Sequence, residues 1–560
     1  MANPLVKMFY SVGSSGDKKT GTPTIDISEG VITFTEAQAT NIGVGDEITF
    51  STTLKAHIVS RVSNTVYLGL KEDASALANV TGATVNQIAR AFNTLSAAES
   101  GASDSSHLNT SDLVANNIRL HLACYGDGSA DTTPVLVAGY TTSAEYHIKI
   151  FTPVLEKEVG VTQRHSGVWT TSKYHLILTS DNSVIAVNNA FVIIEGLQVY
   201  LNHTFNDRRA IIISTPTSSS TDTFTVSHCL VRGTDGMGGS SAHGIRVSSN
   251  FDGDSFIFNN TVWGFSDGHQ NTGIRLGNSG AAGDCFVYNN TVFRCEFGIE
   301  VVSTTDVIAK NNVCNDGTET NDPYLGTFNA SSTNNLSDTG DAPGSNPINA
   351  SVVFIDASTS PYDLRLDSTD TAAKDAGDNL TFDSNIPIRD DGLGTKRAQG
   401  TDFDCGSNEL IQAVQEVFYA VGQNTTDHKT GTGTVTASGG VLTFSDAQTN
   451  NAMGVGDRVT YGSEPLAYLS EKVSTTQWKA TIATGAPVGD QGTPQTLTSI
   501  AHEFTSLSAA ESGAADASHL NSSNLQSLNV QLNLACYDDS GPDTTIVSVD
   551  TWTVDPVHFI

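Results

Sequence analysis

The chain has 560 residues, with 28 lysines and arginines against 60 aspartates and glutamates, a formal net charge of −32. A surface that negative repels phosphate backbones and anionic headgroups, which argues against nucleic acid and membrane surfaces as partners. No apolar stretch approaches the roughly 20 residues that span a bilayer, so no membrane insertion is expected. Charged residues make up only 16% of the chain. Most of the polarity comes from Ser, Thr, Asn, Asp and Gly, which favour turns over helix interiors. Short runs rich in Val, Ile, Phe and Thr alternate with such turn clusters, which predicts an all-β protein of many short strands. The start, Met1-Ala-Asn-Pro-Leu-Val-Lys7, shows no basic region followed by an apolar one, so no signal peptide is visible.

Residues 1–154 read as a β-rich module with one short helix. Gly43-Val-Gly-Asp46 reads as a structural turn, because it lacks the Gly-Lys-Ser/Thr ending of a phosphate loop. A helix is predicted over 92–99, with Gly101 as its C-terminal stop. His107, just after it, reads as a hydrogen-bonded structural histidine. Ile118, Leu120, Leu122 and Cys124 alternate, so Cys124 is expected on a buried strand face. None of the seven cysteines forms a CxxC pair, which argues against a zinc ribbon or a disulfide framework. Asp127 and Asp131 bracket an oxygen-rich turn whose spacing would suit calcium, although such a turn needs no metal.

From 155 to 412 the texture changes to rungs. Phe256-Ile-Phe-Asn-Asn-Thr-Val262 recurs as Phe286-Val-Tyr-Asn-Asn-Thr-Val292, and Val307-Ile-Ala-Lys-Asn-Asn-Val313 follows. A second series is His243-Gly-Ile-Arg-Val247, Thr272-Gly-Ile-Arg-Leu276 and Phe297-Gly-Ile-Glu-Val301. These repeats predict a parallel solenoid with Ile245, Ile274 and Ile299 stacked on one inner face. Asn259 or Asn260, Asn289 or Asn290, and Asn311 are placed to form an amide ladder at the corners.

These rungs resemble the right-handed parallel β-helix superfamily, with repeats similar to pectate-lyase-like folds, bacterial surface proteins and phage tailspikes. Phe354-x-Asp356, Tyr362-Asp-Leu-Arg-Leu366, Asp375-Ala-Gly377, Arg397 and Asp402-Phe-Asp-Cys-Gly406 resemble the closing segment of such proteins. That segment usually ends Asp-Ile-Gly-Ala, where this chain has Asp404-Cys-Gly-Ser407. The resemblance implies a fold and not an activity, since the superfamily holds lyases, hydrolases and non-catalytic adhesins. For a lyase it implies a basic residue that abstracts a proton and acidic residues that bind calcium; Arg208 and Arg209 are the basic candidates, and Asp252 and Asp254 could hold a cation. For a hydrolase, Asp267-Gly-His269-Gln270 and Ala242-His243-Gly244 are nearest to the family's Gly-His-Gly turn.

Residues 413–560 repeat the first module. Phe9-Tyr10 returns as Phe418-Tyr419, Gly43-Val-Gly-Asp46 as Gly454-Val-Gly-Asp457, and Leu122-Ala-Cys-Tyr125 as Leu534-Ala-Cys-Tyr537. Asp539 and Asp543 repeat the Asp127 and Asp131 pair, His519 repeats His107, and Cys536 is expected to be buried like Cys124. The fold expected is thus a right-handed parallel β-helix flanked by two homologous β-rich modules. The function expected is that of a non-catalytic extracellular, cell-surface or virion protein, a fibre or adhesin. Its partners would be a surface glycan and other copies, assembled end to end. The alternative is a polysaccharide lyase or glycoside hydrolase. Outside the calcium that these aspartates would suit, no cofactor is expected.

Overall fold

The alternating runs form strands, and the turn clusters between them send the chain round a core three sheets wide. A computed structural model describes residues 5–202, 207–214, 219–234, 241–248, 251–266, 270–277, 283–302, 306–315, 322–397, 399, 402–410, 414–423, 426–462, 466–539, 541–554 and 559–560. The chain is all-β with long parallel sheets. It divides into two compact units, 1–398 with 402–410, and 399–401 with 411–560.

In the first unit three parallel sheets run side by side. The first sheet takes Val6–Val12, Ile118–Cys124, Ile148–Phe151, Val192–Glu195, Thr223–Ser227, Asp254–Phe258, Cys285–Tyr288 and Val307–Lys310, in that order. The second runs from His175–Leu178 through Gln198–Leu201, Leu230–Arg232, Thr261–Phe265, Thr291–Cys295 and Val313–Asn315 to Leu336–Ser337 and Ile348–Asn349. The third runs from Val135–Val137 through Ile185–Val187, Arg209–Ile213, His243–Val247, Thr272–Leu276 and Phe297–Val301 to Tyr324–Leu325. From Val192 to Leu325 the chain visits first, second and third sheet in turn. Ile245, Ile274 and Ile299 are register partners on the third sheet and wholly buried, as the repeat predicts.

Each Asn-Asn corner divides two tasks between its residues. The first asparagine takes the left-handed backbone: φ is 57° at Asn259, 52° at Asn289, 55° at Asn311 and 52° at Asn334. A short amide side chain tolerates that conformation better than most residues. The second asparagine builds the ladder. The Asn260 side chain donates to Asn290 Oδ1 at 3.0 Å, Asn290 to Asn312 at 3.0 Å, and Asn312 to Asn335 at 2.9 Å. The ladder therefore runs through Asn312 and not Asn311, and one rung further than the sequence suggests. Asn290 Nδ2 also donates to the Ile257 carbonyl, and its Oδ1 also accepts from the Asn260 backbone N–H. Asn290→Ala would strand several buried donors and acceptors at once, and we expect it to cost about 2–4 kcal/mol. Urea unfolding monitored by circular dichroism checks this; a loss below about 1 kcal/mol would mean that water replaces the amide.

The segment after the rungs folds back along the outside. Phe354–Asp356 and Asp363–Leu366 form an antiparallel pair. Phe354, Tyr362 and Leu364 pack with Leu230, Trp263 and Phe293 of the second sheet. Leu380, Ile386 and Phe403 pack with Phe286 and Tyr288 of the first. Arg397 is fully buried, donating to Glu409 at 3.0 Å and to Asn259 Oδ1 at 2.9 Å.

Two closed six-stranded barrels complete the architecture. In the first unit the order is Thr24–Ser28, Val31–Phe34, Val66–Leu70, Leu54–Arg61, Glu47–Phe50 and Val80–Ala89. In the second it is Thr434–Ser438, Val441–Phe444, Gln477–Thr481, Leu466–Lys472, Arg458–Tyr461 and Gln495–Ala501, the same circuit. The Gly-Val-Gly-Asp turn leads into each. Gly45, at φ +88°, lies so close to Tyr10 and Ser11 that a Cβ would stand 2.4 Å from the Ser11 nitrogen, so only glycine fits.

Three details differ from the sequence reading. Strands Val6–Val12, Ile118–Cys124 and Ile148–Phe151 belong to the same sheet as the rungs, so hydrogen bonding runs across position 154 without a break. The helix spans Leu95–Gly101 with Thr94 as its N-cap, and Gly101 is its last residue, followed by Ala102 in right-handed conformation. Cys124 is buried, but Cys536 is exposed. Among the described residues its strand, Val530–Cys536, has Gln415–Val421 as its one sheet partner, with a further hydrogen bond from Leu532 N–H to the Phe559 carbonyl at 2.9 Å.

Candidate functional site

The returning segment packs on apolar outer residues of the first and second sheets, Phe286 and Tyr288 on the first and Trp263 and Phe293 on the second. The third sheet presents charge instead. At Gly244 an added Cβ would meet Val262 Cγ1 at 2.6 Å, so this position faces the interior, as does Ile245 beside it. Two consecutive inward positions leave His243 and Arg246 on the outside. Register then stacks the polar side chains in two columns, Arg209 with His243 and Thr272, and Arg246 with Arg275 and Glu300. Successive members are one strand apart, about 4.8 Å.

The columns are cross-linked. Arg275 donates to His243 Nε2 at 3.1 Å, and its Nε lies 3.3 Å from Glu300. Thr272 donates to Glu300 at 2.8 Å. Arg209 is buried and pairs with Asp207, which also lies 4.0 Å from Arg246. Burial, together with Arg275, Arg209 and Arg246, pushes His243 down to about 2, so the ring is neutral and its Nε2 accepts. Burial and the neighbouring guanidiniums bring Arg246 down to about 10, still cationic at neutral pH. Arg246 and Arg275 are half-buried.

Of the residues singled out in the sequence, Arg209 and His243 stand in this face. Arg208 turns to Asp181, with Nε at 2.6 Å from its carboxylate. His269 and Asp267 lie outside the described residues. Asp127 accepts from Arg90 and faces Lys18, each at 3.1 Å. Asp131 accepts from the Leu95 N–H at the start of the helix (2.7 Å) and from Tyr174 (2.8 Å). Asp543 repeats the first of these contacts with Leu507 at 2.8 Å. Asp539 lies 3.2 Å from His502. Asp254 accepts from the Asp284 N–H at 2.9 Å, and Asp252 is half-buried. Among the described residues, no group of three His, Cys, Asp or Glu side chains close enough to share an ion includes any of these six aspartates. His107 and His519 bond Asp104 and Asp516 at 2.9 and 2.8 Å, the structural role expected of them.

Sequence reasoning named His243 but missed Arg246, Arg275 and Glu300 beside it. The signal was the residue flanking each Gly-Ile pair, which must face outward once both members of the pair face inward. In comparisons with known proteins the chain matches no family model, no curated protein and no solved structure.

Proposed function

We propose that this chain is a non-catalytic surface or structural protein that presents a charged sheet face to an acidic extracellular glycan. In this reading the three-sheet body is a right-handed parallel β-helix flanked by two copies of one β-rich module. The cyclic order of the sheets and the identical circuits of the two barrels support it. The stacking of Arg246 on Arg275 carries the functional part. In a chain of net charge −32, two adjacent half-buried guanidiniums are a local exception to the overall sign. Planar guanidiniums take carboxylates and sulfates in bidentate fashion, the groups that acidic glycans offer.

Catalysis is the second reading, because acid and base share this one face. Against it, a histidine held at about 2 is a poor general base near neutral pH. Binding to a panel of uronate-rich and sulfated polysaccharides tests both readings. We expect binding without depolymerisation, weakened about 10- to 100-fold in Arg246→Ala, the loss of one charged hydrogen bond. Depolymerisation abolished by replacing Glu300 or His243 would favour the enzyme. Equal binding of wild type and Arg246→Ala would remove the glycan assignment from this face.

A further inference from the structure

The two barrels enclose the same frame with different charges. In the first, Asp46 and Asp127 are balanced by Arg90 and Lys18. Aligned through Lys19 with Lys429 and Phe92 with Phe504, the second copy keeps the carboxylates as Asp457 and Asp539 and replaces the cations by His428 and His502. The surrounding backbone is unchanged. Gly43 N–H donates to Asp46 at 3.1 Å and Gly454 N–H to Asp457 at 2.9 Å. Lys18 N–H donates to the Ile88 carbonyl at 2.7 Å and His428 N–H to that of Ile500 at 2.6 Å. The Arg90 guanidinium lies 3.6 Å from the centre of the Tyr125 ring, and His502 stacks on Tyr537 with ring centres 4.6 Å apart.

Two imidazoles in place of two permanently charged side chains leave two carboxylates without fixed positive charge beside them. A divalent cation restores it. We propose that His428, Asp457 and His502 bind a divalent transition-metal ion of the zinc class, with Asp539 orienting His502. One ligand atom from each of the three lies within 4.8 Å of the others. His502 Nδ1 is 2.6 Å from Asp457 Oδ1, and His428 Nδ1 is 3.7 Å from Asp457 Oδ2. Ligands of a tetrahedral zinc ion stand about 3.4 Å apart, between these two distances. All three side chains are buried, at 2% exposure or less. Among the described residues, neither ring nitrogen of His428 has a hydrogen-bond partner, a costly state for a buried imidazole and the one a metal bond relieves. With Nδ1 on the metal, His502 keeps its proton on Nε2, facing Asp539 Oδ2 at 3.2 Å. Among the described residues His502 Nε2 makes no hydrogen bond, and at this distance a small turn of the ring on metal binding would complete the carboxylate–histidine–metal arrangement that fixes tautomer and ring orientation. Two nitrogens and one carboxylate select a zinc-type ion over calcium or magnesium, which take oxygen ligands.

The site lies within the second unit and does not depend on the glycan reading. The test uses the full chain, dialysed against chelator and titrated with Zn²⁺ or Co²⁺. We expect one ion per chain, a visible Co²⁺ absorption of a four- or five-coordinate nitrogen–oxygen site, and a higher melting temperature for the second unit. The double variant His428→Lys with His502→Arg installs the first barrel's cations, so it should fold and bind no ion there. Asp539→Asn should keep the site but weaken it about 10- to 100-fold. If uptake is absent, or is unchanged in the double variant, the metal assignment is overturned.

Discussion

Taking the protein from pH 7 to pH 5 is expected to remove on the order of 2 kcal/mol of stability from the first unit for each of His57, His165 and His243. Burial pushes all three down. His57 falls to about 3, with His107 and Lys55 adding to the effect. His165 falls to about 3, with Arg164, His228 and Lys173 nearby. His243 falls to about 2 beside its three arginines. The hydrogen bonds agree with neutral rings. His165 Nε2 lies 2.8 Å from the His228 carbonyl, and its Nδ1 accepts from Gly167 N–H, so a second proton would break that bond. His57 Nε2 lies 3.7 Å from Glu47, which would favour a charged ring, but among the described residues neither nitrogen has a hydrogen-bond partner, and burial outweighs the distant carboxylate.

In the unfolded chain the same rings titrate near 6.5. Between the folded values and about 6.5 the unfolded state binds the extra proton, so stability rises with pH through that window. It is fully present above the window and is lost as the pH falls. Three such groups together remove about 6 kcal/mol at pH 5, a large share of the roughly 5–15 kcal/mol that holds a typical domain. Urea unfolding of the first unit at several pH values reads the slope. His57→Tyr installs the residue that the second copy carries as Tyr468, and it should flatten the slope by one proton. An unchanged slope in that variant would mean that folded His57 is already charged.

What the sequence makes legible is whatever repeats along the chain. The Gly-Ile pairs mark the third sheet because each recurs with its neighbours, and the buried column at Ile245, Ile274 and Ile299 follows from that alone. The Asn-Asn corners are visible too, but sequence cannot tell which asparagine turns the backbone and which joins the ladder, since both are buried polar amides. The exposure of Cys536 is hidden for another reason. Its strand reads like that of Cys124, but among the described residues it has one sheet neighbour where the Cys124 strand has two. The charged face was half legible. Arg208 and Arg209 stand out through Asp207 beside them, whereas Arg246 and Arg275 sit in motifs whose repetition reads as structural. The histidine site was hidden until the copies were matched residue by residue. His428, Asp457, His502 and Asp539 are far apart in sequence, and barrel closure brings them together.

Replacing Arg90 by alanine is expected to destabilise the first unit by about 3–5 kcal/mol, the usual cost of stranding a buried charge. Its side chain is fully buried, with Nη1 donating to both Asp46 oxygens at 2.7 Å and Nε to Asp127 at 3.1 Å. The two partners give opposite accounts of the pair. Burial raises the Asp46 carboxyl above its ordinary value in spite of Arg90. Burial would lower Arg90, yet Asp46, Tyr125 and Asp127 hold it higher still. The geometry reconciles them. The guanidinium has two carboxylates and an aromatic face, while Asp46 is fully enclosed and Arg90 only offsets its desolvation. The pair therefore adds little net stability when intact but costs heavily when broken. A double-mutant cycle separates these effects. Arg90→Ala alone should cost the full amount, and Asp46→Asn alone somewhat less. The double variant should cost less than the two singles summed, because no buried carboxylate at position 46 is left unpaired. Additive losses would mean that Arg90 acts mainly through Asp127 and Tyr125. Lys18→His with Arg90→His would transplant the second barrel's side chains into the first. That variant should be weak in chelator and recover with Zn²⁺, because the ion restores the missing positive charge to a frame already shaped around two carboxylates.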